Sequence, residues 1–168
     1  MILPDVNVLI ALAWPNHVFH FEARHRMEIE RGTWATCLLT QLGFIRFSSN
    51  PSVSPTAVRP AQAADILARL TSDKRHVFLG DYPAPVDSAD LWKSLQGYKQ
   101  ITDVWLLGTA RRAGGKLLTF DAGLKALAPT GSLKSCGMAI SRCGGGIRSF
   151  IRRNRSLAAR CISTCAQS

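Results

Sequence analysis

Ile101-Thr102-Asp103-Val104-Trp105-Leu106-Leu107-Gly108-Thr109-Ala110-Arg111-Arg112-Ala113-Gly114-Gly115-Lys116-Leu117-Leu118-Thr119-Phe120-Asp121 is the run whose reading decides the fold. Thr102 can cap a helix that carries Asp103 in its first turn, and Val104, Leu107 and Ala110 then recur at helical spacing. Gly114-Gly115 stops that helix, and Lys116 to Phe120 reads as a short buried strand with Asp121 at its C-terminal end. Helix, glycine break, strand and acid in succession are one αβ unit of a parallel sheet. Ligands of such sheets bind outside the carboxyl ends of the strands, the edge to which Asp121 belongs. Asp103 can reach the same edge from its helix N-terminus.

Working outward, Met1 to Asn7 reads as a strand ending in an acid, Asp5, followed by a buried helix over Val8 to Trp14 that Pro15 breaks. His17 to Arg31 is an amphipathic helix of mixed charge, and Thr33 to Leu38 a second strand. A helix over Thr40 to Phe47 is entered directly from that strand. Asn50 to Pro55 is a loop, Pro60 to Leu70 a helix with proline at its start, and His76 to Gly80 a third strand. Tyr82 to Pro85 is a turn, Ser88 to Gln96 a short helix, and Leu124 to Ala128 one helical turn. Strands alternating with helices of these lengths predict a three-layer α/β domain with a central parallel sheet over residues 1–132.

The chain has 168 residues, enough for one domain with a real core, and a 46% hydrophobic fraction excludes global disorder. No apolar run approaches the roughly 18 residues of a membrane span, and the N-terminus lacks the basic region of a secretory signal. A cytoplasmic protein with no membrane partner is the expectation. The formal charge of +10 is uneven. Residues 1–130 hold 14 Lys/Arg against 11 Asp/Glu, whereas residues 131–168 hold 7 Lys/Arg and no acid. Nucleic-acid binding argued from net charge alone would therefore rest on the tail. Residues 133–168 read as an atypical basic extension containing Cys and Gly, solvated or disordered. Its hydrophobic positions also permit a basic helix against RNA or an acidic surface. Its cysteines do not have paired zinc-site spacing.

Three carboxylates thus stand at or beside one predicted edge: Asp5, Asp103 and Asp121. Three anions packed together raise one another's pKa unless a cation neutralises them, and a hard divalent ion does so with oxygen ligands. A water held there becomes a better nucleophile, so metal-assisted phosphodiester hydrolysis is the natural reaction class. Asn7 can orient a carboxylate or a water. Each acid also has a structural explanation, as a helix cap or a first-turn charge. Arg46 can grip a phosphate bidentately, although a surface ion pair accounts for it equally well. Arg111, Arg112 and Lys116 can extend a basic rim for RNA, or simply complement a helix C-terminus. The four tryptophans read as core or dimer-interface residues, and the histidines show no ligand pattern.

Ile2-Leu3-Pro4-Asp5-Val6-Asn7-Val8-Leu9-Ile10-Ala11-Leu12, Thr40-Gln41-Leu42-Gly43-Phe44-Ile45-Arg46-Phe47 and Ile101-Thr102-Asp103 through Thr119-Phe120-Asp121 resemble PIN domains, specifically the VapC-type toxins of toxin–antitoxin pairs. The resemblance covers roughly residues 1–130, with the motifs in family order. It implies an α/β/α PIN fold, an endoribonuclease dependent on Mg2+ or Mn2+, a cognate VapB-like antitoxin that blocks the site, and a homodimer. Asp5, Asp103 and Asp121 match the family's acidic metal-site residues, with Asn7 a frequent companion. Gln41 stands where many members carry Glu; its neutral carbonyl oxygen can ligate or hydrogen-bond but cannot act as a carboxylate base. The usual final strand has only Met138-Ala139-Ile140 as a poor candidate. Two other functions compete: a PIN domain that binds RNA or an antitoxin without cleaving, and a phosphatase using Asp5 as a covalent nucleophile. The second Asp that such phosphatases need is replaced by Asn7.

Overall fold

The computed structural model describes residues 1–53, 56–81, 84–87, 89–93, 95, 97–121, 124 and 133–135. Five parallel strands form one sheet: β1 (Ile2–Pro4), β2 (Trp34–Cys37), β3 (His76–Leu79), β4 (Lys116–Thr119) and β5 (Leu133–Ser135). Their order across the sheet is β3-β2-β1-β4-β5, so the chain runs outward from β1 to β3 and then crosses back to β4 on the other side. The reversal falls between β1 and β4. In a doubly wound sheet that is where a crevice opens at the carboxyl ends of the strands.

Helices α1 (Val6–Ala13), α2 (His20–Ile29), α3 (Leu38–Ser48) and α4 (Pro60–Thr71) lie in the connections between β1 and β3. Their apolar faces meet Ile2, Trp34 and Leu118 of the strands in one core. Helix α5 (Ala89–Trp92) and helix α6 (Ile101–Arg112) follow β3, and Leu106, Leu107 and Ala110 of α6 pack on Leu3, Ala35 and Leu117 in a second core. Successive strand residues point to opposite faces, so Ile2, Trp34 and Leu118 face one helical layer and Leu3, Ala35 and Leu117 the other. The three-layer α/β/α architecture read from the sequence is the one observed.

Glycine sets the geometry at the junction of α6 and β4. Gly114 sits at φ 67°, the left-handed region, and closes the helix. Its N–H donates to Arg111 O at 3.0 Å, while Gly115 N–H donates to Ala110 O at 2.8 Å. Gly115 then lies against β1, where a Cβ would stand 2.8 Å from the Met1 carbonyl oxygen. Lys116 N–H donates to that carbonyl at 3.1 Å and starts the β1–β4 ladder.

Several boundaries differ from the reading for local reasons. A 3-10 turn over Tyr98–Gln100 leads into α6, so Gln100 occupies the cap position and Thr102 lies within the first turn instead of capping it. Helix α1 starts at Val6 because Asp5 caps it. Helix α3 starts at Leu38, directly after β2, and Thr40 accepts the Cys37 N–H at 2.9 Å from its third position. Helix α2 begins at His20, since residues 15–19 form turns. The fifth strand, Leu133–Ser135, pairs with β4 and takes the first three residues of the segment expected to be an extension. The Met138–Ile140 strand candidate, the helical turn beyond Leu124 and the basic sequence after Ser135 lie outside the described residues. Among the described residues, no helix is long and apolar enough to cross a membrane.

Candidate active site

Asp5 leaves the end of β1 and is buried. Its N–H donates to Leu118 O at 2.9 Å, extending the ladder one residue past the strand. Both carboxylate oxygens are engaged: Oδ1 accepts the Val8 N–H at 2.8 Å and Oδ2 accepts the Thr119 hydroxyl at 2.5 Å. The capping role and the place in an acidic group therefore belong to the same side chain. Burial pushes the carboxyl up to about 6, with the charge of Asp121 adding to it. The hydrogen bonds from Thr119, Val8 and the Asn7 backbone pull the other way.

Asp103 is half-buried in the first turn of α6, and its pKa is pushed up to about 7 by burial and then by the charges of Asp5 and Asp121. A first-turn carboxylate near a helix N-terminus is ordinarily favoured in its ionised form. Burial and two neighbouring anions outweigh that here. Asp121 follows β4, and its N–H donates to Thr119 Oγ1 at 3.0 Å. One threonine hydroxyl thus ties Asp5 to the Asp121 backbone. Sequence reasoning gave Thr119 no role, because a threonine in a strand has an ordinary explanation in strand propensity.

Asp103 feels the charges of Asp5 and Asp121, and Asp5 feels that of Asp121. Among the described residues, no three His, Cys, Asp or Glu side chains are gathered as a ready ligand set. The three acids are neighbours in charge, held by separate elements. The donor chemistry fits a hard divalent cation: all oxygen, anionic, partly buried and mutually repelling.

The remaining predicted residues are placed differently. Asn7 is half-buried in the first turn of α1, with its backbone N–H turned to Asp5. Gln41, in the first turns of α3, donates from Nε2 to Thr36 Oγ1 at 2.8 Å, and that oxygen is 2.8 Å from His76 Nε2. Arg46 is exposed in the last turn of α3. Arg111, Arg112 and Lys116 do not form a rim beside the acids. Arg112 ends α6, about 14 Å along the helix from Asp103 at 1.5 Å per residue. Lys116 begins β4 and stands at the opposite end of the strand from Asp121, about 10 Å from Thr119 by strand rise. An α6 running antiparallel to β4 carries these cations to the N-terminal edge of the sheet.

Beside the acids, an apolar cavity of about 980 Å³ opens between the starts of α3 and α6, lined by Leu38, Leu42, Trp92, Tyr98, Ile101 and Trp105 among others. Trp92 and Trp105 stack at 5.9 Å, whereas Trp34 is core. Leu38, Leu42, Tyr98 and Ile101 are exposed, so this face is largely hydrophobic.

A family model for the PIN domain matches residues 2–128. The chain is 45% identical over 129 residues to Ribonuclease VapC38 of Mycobacterium tuberculosis, covering 76% of this chain and 90% of that protein. It is 44% identical over 131 residues to Ribonuclease VapC39 of the same organism (77% and 94%), and 41% identical over 135 residues to Ribonuclease VapC44 (79% and 94%). On the matched span, the sheet order and these relatives together, the chain belongs to the PIN-domain family, in the group of the VapC ribonucleases.

Proposed function

We propose that the chain is the toxin of a toxin–antitoxin pair, an endoribonuclease that hydrolyses RNA phosphodiester bonds with Mg2+ or Mn2+ held by Asp5, Asp103 and Asp121. What supports this reading is that burial, with the charges of neighbouring acids, pushes Asp5 up to about 6 and Asp103 up to about 7. Relatives named as ribonucleases supply the substrate class.

A divalent ion held by these carboxylates would neutralise their repulsion and would supply a water made nucleophilic near neutral pH. The chain's own contribution is preorganisation. The Val8 N–H and the Thr119 hydroxyl hold both oxygens of Asp5, so its carboxylate does not rotate. Thr119 also fixes where the backbone leaves β4, and so where Asp121 stands. Gln41 is neutral and cannot serve as a base.

In this reading the protein works in the cytoplasm, a VapB-like antitoxin covers the site, and the apolar face around Tyr98 and Ile101 is where two copies meet. Purified protein should cut a structured RNA such as tRNA when Mg2+ or Mn2+ is present and stop in EDTA, and Asp5→Asn should abolish cutting. The second reading, a domain that binds RNA or its antitoxin without cleaving, is favoured by the neutral Gln41 amide committed to Thr36. It predicts that RNA binding survives EDTA and that neither metal produces cleavage.

A further inference from the structure

Three side chains from three elements form one hydrogen-bonded chain: Gln41 of α3, Thr36 of β2 and His76 of β3. The strand register builds it. Trp34 pairs with His76 and Thr36 with Phe78, so the His76 ring packs on Trp34 at 4.6 Å and leans across to the Thr36 hydroxyl. Thr36 is fully buried, and its hydroxyl oxygen can accept two protons while giving one. Gln41 Nε2 supplies one proton to it. If His76 supplied another, the hydroxyl's own proton would have no acceptor in a buried site, which is costly. The arrangement that satisfies every group sends the Thr36 proton to an unprotonated His76 Nε2, with the imidazole proton on Nδ1.

We propose that Thr36 and His76 are positioning residues for Gln41: they take up its amide N–H and so hold its carbonyl oxygen on the opposite side, making position 41 an acceptor. Burial of the ring, which lowers the His76 pKa against the opposing charge of Asp73, acts in the same direction. The direction of the chain is set by the amide. A carboxylate at position 41 only accepts; Thr36 would then donate to it and accept from His76 Nε2–H, favouring the protonated ring. The value of this device to RNA cleavage rests on the reading above, whereas the orientation itself does not.

The test follows His76 by long-range 1H–15N NMR of the full chain from pH 4 to 8, assigned against His76→Gln. The wild type should show the Nδ1–H tautomer and a pKa below that of ordinary histidine. Gln41→Glu should raise that pKa by about one unit, and the rise should shrink to about a third of that or less in a Thr36→Val background. An Nε2–H tautomer in the wild type overturns the proposal even if Thr36→Val does not fold. So does an equal rise with and without the hydroxyl, which would be a through-space effect. In cleavage assays Thr36→Val should lower kcat more than it changes KM, with Thr36→Ser restoring it; a loss confined to KM would count against positioning. A wild type that cuts no RNA would sink the ribonuclease reading and leave the tautomer result standing.

Discussion

The Thr119 hydroxyl donates to Asp5 Oδ2 at 2.5 Å across the β1–β4 seam, while the same oxygen accepts the N–H of Asp121. Two acids 116 positions apart in the chain therefore depend on one side chain that is not itself acidic. Thr119→Val keeps the shape and removes both bonds. It should destabilise the fold by about 1–3 kcal/mol, the cost of an unsatisfied buried acceptor. The Thr119 bond also lowers the Asp5 pKa, so its loss should move the acid limb of the cleavage pH profile to higher pH. Thr119→Ser should restore both. Denaturant unfolding and a pH–rate profile check this; an unmoved profile in Thr119→Val would contradict it.

Asp5 and Asp103 make the metal-free fold sensitive to alkali. Their folded pKa values of about 6 and about 7 lie above the ordinary carboxylate value of about 4 in the unfolded chain. The stability linked to them is complete below pH ~4 and is lost as pH rises through about 6 and then about 7. The Tm of protein in EDTA should therefore fall between pH 5 and 8 from this contribution. Asp103→Asn should flatten that slope and stabilise the protein at pH 8 by about 1–2 kcal/mol, allowing for its partial exposure. Differential scanning calorimetry across that range decides it, and an unchanged slope in Asp103→Asn would be the contrary result.

The α6–β4 junction should discriminate between its two glycines. Gly114→Ala forces a side chain into the left-handed region and should cost about 1 kcal/mol. Gly115→Ala should cost more, since its Cβ meets the Met1 backbone at 2.8 Å and must disturb the β1–β4 ladder that places both Asp5 and Asp121. The corresponding reading is a larger drop in denaturant midpoint for Gly115→Ala, together with reduced cleavage. Equal drops would mean that the close approach is easily relieved.

The apolar face beside the acids gives a prediction about assembly. Tyr98 is 79% exposed and Ile101 48% exposed, with Leu38 and Leu42 alongside. Ile101→Glu with Leu42→Glu should convert a dimer to a monomer in light scattering at micromolar concentration while leaving the circular dichroism spectrum unchanged. A wild type that is monomeric at high concentration would show that this surface is not a contact between copies.

Much of this was legible in the sequence because local chemistry and global fold agree. The succession from Ile101 to Asp121 reads correctly as helix, stop, strand and acid, since a glycine pair, a buried run and the helical period all point the same way. Asp5 could be read as a cap or as a site acid; it caps α1, and its charge acts on Asp103. What was not legible needed direction or register. The basic residues at 111, 112 and 116 are near Asp121 in sequence, yet an antiparallel helix and one strand length put them at the far edge. The His76 contact to Thr36 is invisible because 40 residues separate them, and only the β2–β3 pairing closes the distance. Thr102 fails as a cap because a 3-10 turn from Tyr98 starts the helix earlier.

The most direct measurement is Mn2+ binding by calorimetry at pH 7.5 to the wild type, Asp5→Asn, Asp103→Asn and Asp121→Asn, with folding checked for each. If the three acids hold one ion, the wild type binds Mn2+ and releases protons on binding, and every single substitution weakens binding by at least about tenfold, or 1.4 kcal/mol. Three variants that bind Mn2+ as tightly as the wild type would contradict the account.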